Sequence, residues 1–550
     1  MNRFLTLALI PLFLTSLTPV AIAGDPAFER RRYYYEDIFL PFFKKDSVTG
    51  LYQENRPGAT RGSFAMPKPK GVFRVFVIGG SIAQRYMSYD SEDFPDLLKT
   101  LRSALPSETI ETLDCGMGGY DSFREAMILE EIVEYEPDLI ILMSGHNENI
   151  GSPPIPLWLL HARDRLEKIS AFKALITRLQ KSRGHIDEAM PTGPRERDAQ
   201  FENNLRGMLK LAKKKGIPIA VVVPPLNLKE SPAKVRPPLA DENFVRGWVA
   251  SIQGRWKEAV TPLQESLKHP IGGNNLPNWT DYYLGLALLE TGDKSKAKQH
   301  LLKALDAPRA QRCSSDCPDI LRKTSREEGA LLIELDKSFE SASKDKIPGL
   351  EIFNDEVHWV ANANGLASRA ILDALKTAPA FSKLEWDDSR IGKWLPMEPL
   401  SDREILNTFR YAANMMMYSP FMEWTAVIYL HEAGKRMPIA VKSIRDFRKT
   451  VLEPKSGKGR AWSQNKLDIP KHKLAWYFGE LELRRGRYKL ALKYFDKALK
   501  SKETPPDAHV GRAVAAALSG KPKQALKSLK VLEKAGKGHY SRALHSALNL

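Results

Sequence analysis

Val72-Phe73-Arg74-Val75-Phe76-Val77-Ile78-Gly79-Gly80-Ser81 is the stretch that decides the architecture of this chain. Its first seven residues are apolar apart from Arg74, are rich in β-branched and aromatic types, and stop at two glycines. A run of that length and composition reads as a buried strand. A serine behind two glycines, at the end of such a strand, sits where the backbone can turn sharply and expose a hydroxyl.

Outward from this strand the pattern alternates. Asp93–Ala104 reads as a helix, Thr109–Leu113 as a strand, Ser122–Tyr135 as a helix and Leu139–Met143 as a strand. Phe201–Lys215 is again helical, and Ile217–Val223 is a strand stopped by Pro224-Pro225. Apolar strands separated by amphipathic helices predict an α/β fold, with a parallel sheet covered on both faces. In such sheets the active crevice lies beyond the carboxyl ends of the strands. Residues 25 to about 70, with Arg30-Arg31-Arg32-Tyr33-Tyr34-Tyr35 and Pro57, Pro67 and Pro69, read as an ordered lead-in that packs on this domain.

Two further segments complete a chemical set. Gly145-His146-Asn147-Glu148 follows the strand at Leu139–Met143 and ends it in a glycine turn. Asp355-Glu356-Val357-His358 places a carboxylate three residues before a histidine, so one loop can hold both. A serine hydroxyl is a weak nucleophile at neutral pH and needs a base within hydrogen-bond reach. His358 is the candidate base, and Asp355 would accept from its other ring nitrogen, fixing the tautomer. Attack by Ser81 on an ester carbonyl leaves an oxyanion. Donors already aimed at it contribute a few kcal/mol, roughly 10²–10³ in rate for each donor. The candidates are the backbone N–H groups of Ser81 and Gly119 and the side-chain amide of Asn147, with Gly116, Gly118 and Gly119 supplying the unusual backbone.

In these blocks the chain resembles the SGNH (GDSL-type) hydrolases, over roughly residues 70–235 and 305–380. Ser81 matches the nucleophile of that family, and Asp114-Cys115-Gly116-Met117-Gly118-Gly119-Tyr120 its second block, whose last glycine gives an oxyanion N–H. Asn147 matches the third block, and Asp355 with His358 the closing Asp-x-x-His. The resemblance implies a three-layer α/β/α sandwich that hydrolyses carboxylic esters, or transfers acetyl groups, without a metal or other cofactor. The chain departs from the family pattern in three places. Gly80 stands where an aspartate commonly precedes the serine, Glu148 replaces the aspartate after the asparagine, and the segment after His358 lacks the usual proline or threonine.

Near residue 240 the pattern changes. Gly247, Gly254, Ala259 and Leu263 recur as Gly285, Gly292, Ala297 and Leu301, at a constant offset of 38 residues (247 to 285, 259 to 297). Gly486, Ala491 and Phe495 recur as Gly520, Ala525 and Leu529, at an offset of 34 (486 to 520). Both stretches resemble tetratricopeptide repeats, most closely from Trp476-Tyr477-Phe478-Gly479 to Ala498. Ile271-Gly272-Gly273-Asn274 is the place for the extra linker residues of the first pair. The expected order is a lead-in at 24–70, a hydrolase-like domain at 71–239 and 306–380, inserted hairpins at 240–305, and a helical domain at 400–550. Such repeats either hold a protein partner or shape a neighbouring cleft.

The first 23 residues read as an export signal. Arg3 is basic, Phe4–Val20 is mostly apolar, and Ala21-Ile22-Ala23 fits a cleavage site. An uncleaved membrane anchor is the alternative. The expected location is therefore the periplasm or the exterior. Three cysteines in 550 residues exclude a disulfide-built scaffold. Cys313 and Cys317 could close a small disulfide or stand as two thiols on a loop, no second ligand pair completes a zinc site, and Cys115 reads as a small buried hydrophobe.

The formal charge of +17 favours anionic surfaces such as phospholipid headgroups or acidic envelope polymer. Nucleic acid is the poorer reading, because the chain carries no RNA-binding signature. Much of the excess charge also lies on helix faces, as at Lys210, Lys213, Lys214 and Lys215.

His146 would brace its turn or touch substrate, and Arg309 would meet an anionic substrate group or pair with Asp306. Trp158 and Trp359 line a pocket or belong to core. Three functions stand in order: a serine esterase removing a short acyl group from a carbohydrate or lipid, an O-acyltransferase acting on an exported or cell-wall polysaccharide, and a non-catalytic scaffold.

Overall fold

The computed structural model describes residues 41–55, 62–88, 97–148, 194–233, 237–268, 277–306, 312–387, 389, 402–418, 423–436, 444–449 and 469–550. The export segment, Trp158, Arg309 and the linker at Ile271-Gly272-Gly273-Asn274 lie outside the described residues.

The strands in chain order are β1 (Phe43–Lys45), β2 (Tyr52–Glu54), β3 (Ser63–Phe64), β4 (Val72–Gly79), β5 (Thr109–Gly116), β6 (Leu139–Met143), β7 (Ile219–Val222) and β8 (Leu331–Ile333). The helices begin with α1 (Ser81–Ser88), α2 (Leu97–Ala104), α3 (Ser122–Ile132) and α4 (Pro194–Lys215). They continue with α5 (Glu242–Ile252), α6 (Trp256–Lys268), α7 (Pro277–Glu290), α8 (Lys294–Ala304), α9 (Cys317–Glu328), α10 (Leu335–Ala342) and α11 (Asn364–Thr377). Towards the C-terminus lie α12 (Asp402–Tyr418), α13 (Glu423–Arg436), α14 (Lys471–Arg484), α15 (Tyr488–Ala498), α16 (Ala508–Leu518), α17 (Pro522–Lys534) and α18 (Gly538–Ala547).

The chain divides into two compact units. One takes the residues up to Pro224, with Asp316–Glu334 and Ala370–Lys393; the other takes Pro225–Ser315, Leu335–Arg369 and Trp394–Leu550.

The first unit holds the five-stranded sheet, in the order β5-β4-β6-β7-β8, every pair parallel. The α/β class expected from the alternating runs is the one the chain adopts. Gly79 pairs with Gly116 on one side and Met143 on the other, so β4, β5 and β6 end level. The chain leaves β4 for β5 and then crosses to β6, which makes the gap between β4 and β6 the point where winding reverses. Ligands of such sheets bind at that switch point.

Strand β8 is absent from the pattern reading because Leu331-Leu332-Ile333 is too short to signal itself. It forms because β7 offers an edge, pairing Ala220 with Leu331 and Val222 with Ile333. Arg74, the one charged residue of β4, is fully buried, and its guanidinium is satisfied by Glu111 and by the carbonyls of Tyr135 and Ala65. Without those partners burial of the charge would be prohibitive. Strands β1, β2 and β3 form a small antiparallel sheet whose Phe43 and Phe64 pack edge-on to Phe76 of β4.

The second unit is built mainly of helices. Helices α5 and α6, α7 and α8, α14 and α15, and α16 and α17 pack as consecutive pairs. Gly247 and Gly285 sit at equivalent crossings, where a Cβ would come 2.4 and 2.7 Å from Cγ of Leu263 and Leu301. That close approach is why the glycines recur. The two helical stretches, read from sequence as separate, are one body. Helix α18 packs on α5, with Arg246 donating to Ser546, and at a second place Arg484 of α14 donates to the Tyr283 hydroxyl of α7. Trp248 of α5 and Trp424 of α13 meet edge-on at 5.8 Å between ring centroids. Burying rings of this size supplies much of the unit's apolar contact.

Cys313 and Cys317 are bonded as a disulfide, and Cys115 is a buried cysteine outside any disulfide. Among the described residues no helix is long and apolar enough to cross a membrane.

Candidate active site

In the first unit, three of the candidate residues stand at the carboxyl end of the sheet. Ser81 opens α1 directly after β4 and Gly80, which puts its hydroxyl at the start of a helix and leaves the residue half-buried. Gly119 lies in the turn after β5, closed by Tyr120 N–H donating to the Met117 carbonyl at 3.1 Å. Its φ of +80° is a conformation a β-carbon penalises, so glycine is required there. Asn147 follows β6, and its Nδ2 donates to the Tyr120 carbonyl at 2.8 Å while the amide rests against Gly80. One bond thus ties the turn after β5 to the turn after β6, across the strand that carries Ser81.

Glu148 adds a second tie. Its carboxylate accepts from the backbone N–H of Ser122 at 2.9 Å and from the Ser122 hydroxyl at 2.7 Å, holding the first residue of α3. Asn204 of α4 donates to the same hydroxyl at 3.0 Å, which orients its proton towards Glu148. Asp121 caps α3 by accepting from Arg124 N–H and pairs with the Arg124 guanidinium at 3.0 Å. Behind these groups the Ser144 hydroxyl meets the carboxyl of Glu125. Burial, then the Asp121 charge, pushes the Glu148 carboxyl up to about 8. Glu125 is raised well above the ordinary carboxylate range, first by burial and then by Glu148.

The Glu148 side chain therefore has a structural use, since it reaches both the N–H and the hydroxyl of Ser122. The roles of Ser122 and Tyr120 carry no sequence signal, because one acts through a hydroxyl in the first turn of a helix and the other through a backbone carbonyl that any residue would supply. His146 is buried at 6% exposure.

In the second unit, Asp355 and His358 occupy the tip of a tight loop. Asn354 N–H donates to the His358 carbonyl at 2.8 Å, Val360 N–H to the Ile352 carbonyl at 2.8 Å, and Phe353 bridges to Trp359. Asp355 Oδ1 accepts from the N–H groups of Val357 at 3.0 Å and His358 at 2.8 Å, while Oδ2 faces His358 Nδ1 at 2.7 Å. A carboxylate spending one oxygen on two backbone donors holds its other oxygen in a fixed direction. The ring proton then belongs on Nδ1, and Nε2 becomes the basic nitrogen. Trp359 is core: it is 5% exposed, packs edge-on to Phe339 and donates to Asn364 at 2.7 Å. Asp306, the proposed partner of Arg309, accepts from both the N–H and the hydroxyl of Ser315.

Among the described residues no group of three or more His, Cys, Asp or Glu side chains is placed to hold a metal ion. No family model matches the sequence, and no curated protein matches it. Solved structures do. The acetylxylan esterase Axe2 of Geobacillus stearothermophilus is 12% identical, with 55% of this chain and 93% of that one covered and a TM-score of 0.28. The acetyl xylan esterase AlAXEase is 13% identical, over 55% and 99%, with a TM-score of 0.27. A gut microbial diltiazem-metabolizing enzyme is 12% identical, over 56% and 48%, with a TM-score of 0.27. At such TM-scores these likenesses carry no weight for the reaction, which has to be read from the residues.

Proposed function

We propose that the chain is an exported serine esterase of the SGNH type, removing a short acyl group from a carbohydrate or lipid. Two local arrangements, one in each compact unit, support this reading. The turn of Gly119 and Tyr120 is tied to the amide of Asn147, which rests against Gly80 just before Ser81, at the switch point of a parallel sheet. Asp355 and His358 are bonded in the geometry that makes an imidazole a base.

The mechanism requires His358 Nε2 to take the Ser81 proton as its oxygen attacks the ester carbonyl. The oxyanion is received by the N–H groups of Ser81 and Gly119 and by the second Nδ2 proton of Asn147. The imidazolium then protonates the leaving alkoxide, and water repeats the sequence on the acyl-enzyme. Net positive charge supports residence near anionic envelope material, where the acylated substrate would be found.

The test is labelling with a fluorophosphonate probe together with hydrolysis of p-nitrophenyl acetate. The reading expects a single adduct at Ser81, absent in Ser81→Ala and strongly slowed in His358→Ala. A folded wild-type protein that neither labels nor turns over an acetyl ester would sink it.

A further inference from the structure

The loop that carries Asp355 and His358 is gripped from outside by two segments that no motif marked. Asn227 is fully buried; its Nδ2 donates to the Asp355 carbonyl at 3.1 Å and its N–H to the Glu356 carbonyl at 3.1 Å. The Asn227 Oδ1 in turn accepts from Glu230 N–H at 3.0 Å, so its amide is oriented. Arg312 approaches through a side chain. Its Nη1 meets Glu356 Oε2 at 2.7 Å, with side-chain exposures of 0% and 2%, and its Nη2 donates to the carbonyl of Ala304 at 3.3 Å. Ala304 is the last residue of α8, so this one guanidinium links the end of the inserted helices to the residue beside Asp355. Tyr429 of α13 is also fully buried, with Glu356 and Asp355 among the charges that raise its hydroxyl, behind burial itself.

A buried ion pair is poor evidence of stability. Desolvating each ion costs several kcal/mol, roughly what the attraction returns, and apolar replacements of similar volume are often as stable. What such a pair does supply is a direction: a guanidinium anchored to a helix end accepts a carboxylate in one place only. Glu356 directly follows Asp355 and stands two residues before His358, so fixing its side chain constrains the backbone that carries both.

We propose that Arg312, acting through Glu356, is a positioning residue for the Asp355–His358 pair. This rests on the esterase reading for its catalytic meaning, while its structural content, that Arg312 holds the loop, stands separately.

The experiment uses the full chain and compares Arg312→Met, Arg312→Lys, Glu356→Gln and the double variant Arg312→Met/Glu356→Gln with wild type. Three quantities are read: thermal midpoint, amide exchange in peptides spanning residues 352–360, and kcat and KM for p-nitrophenyl acetate. Each of the single variants Arg312→Met and Glu356→Gln should lower kcat by roughly 10²-fold with KM within about twofold, since small misplacements of a catalytic group cost that much. Exchange at 352–360 should quicken while exchange in β4 and β6 stays as in wild type. Arg312→Lys should recover part of both losses.

The double variant leaves no buried charge unpaired, so its thermal midpoint should return towards wild type while kcat and loop protection stay low. Recovery of all three quantities in the double variant would overturn positioning, as would unchanged exchange and kcat in the single ones. If wild type shows no turnover, the esterase reading falls, and exchange at 352–360 alone decides whether Arg312 holds the loop.

Discussion

A Cβ on Gly80 would stand 2.3 Å from Nδ2 of Asn147. The residue before the candidate nucleophile and the candidate oxyanion donor therefore share one space, and only glycine leaves the amide room. The aspartate common at this place in the resembling family could not fit beside Asn147 as it is held here. Gly80→Ala should displace the amide and lower kcat by roughly 10²–10³, the cost of one oxyanion donor. Asn147→Ala should fall in the same range. Steady-state kinetics on an acetyl ester, with a thermal melt to verify folding, measure both. Unchanged kcat in Gly80→Ala would remove Asn147 from the oxyanion site.

Asp355 divides its work between loop and ring. Asp355→Asn keeps the shape but brings an NH₂ group and removes the charge that favours a protonated Nδ1. The expected outcome is a fall in kcat of about 10³–10⁴ with KM little changed. Combining Asp355→Asn with His358→Ala should cost hardly more than His358→Ala alone, because groups acting as a unit are not additive. A multiplicative loss in the double variant would show that the two residues act independently.

Glu148 gives a pH dependence of stability with a definite sign. Its carboxyl rises from 4.5 to about 8 in the folded chain, so the folded state binds the proton more tightly than the unfolded state. The contribution is therefore fully present below pH 4.5 and is lost progressively as pH rises to about 8. Glu230, also raised to about 8 by burial and then by Glu432, acts in the same direction. Wild type should lose thermal midpoint between pH 5 and pH 8, and Glu148→Gln should lose visibly less. Equal slopes for the two proteins would show that Glu148 is ionised in the fold.

Leu544, in α18, is fully buried in the helix that joins the C-terminal pairs to α5. Leu544→Ala should cost about 2–5 kcal/mol, the range for a large apolar side chain lost from a core. Because the two helical stretches are one body, limited proteolysis of this variant should open sites in both 240–305 and 469–550. Cleavage confined to the C-terminal stretch would argue against their shared packing.

Local order was legible in the residues themselves. Apolar runs of strand length between amphipathic helices identify a parallel sheet, because a strand covered on both faces must be apolar along its whole length. The Asp-x-x-His spacing likewise makes the Asp355–His358 bond legible, since a carboxylate and an imidazole three residues apart can meet within one loop. What no reading of the chain could supply were the partners brought in from a distance. Leu331-Leu332-Ile333 becomes a strand only because β7 presents an open edge. Glu148 meets Ser122 and Asn204, Arg312 meets Glu356, and α18 meets α5, each across separations where sequence carries no periodicity. Those contacts exist because buried charges and carbonyls must find partners once folding removes water. Which partner each one finds is a property of the packed chain.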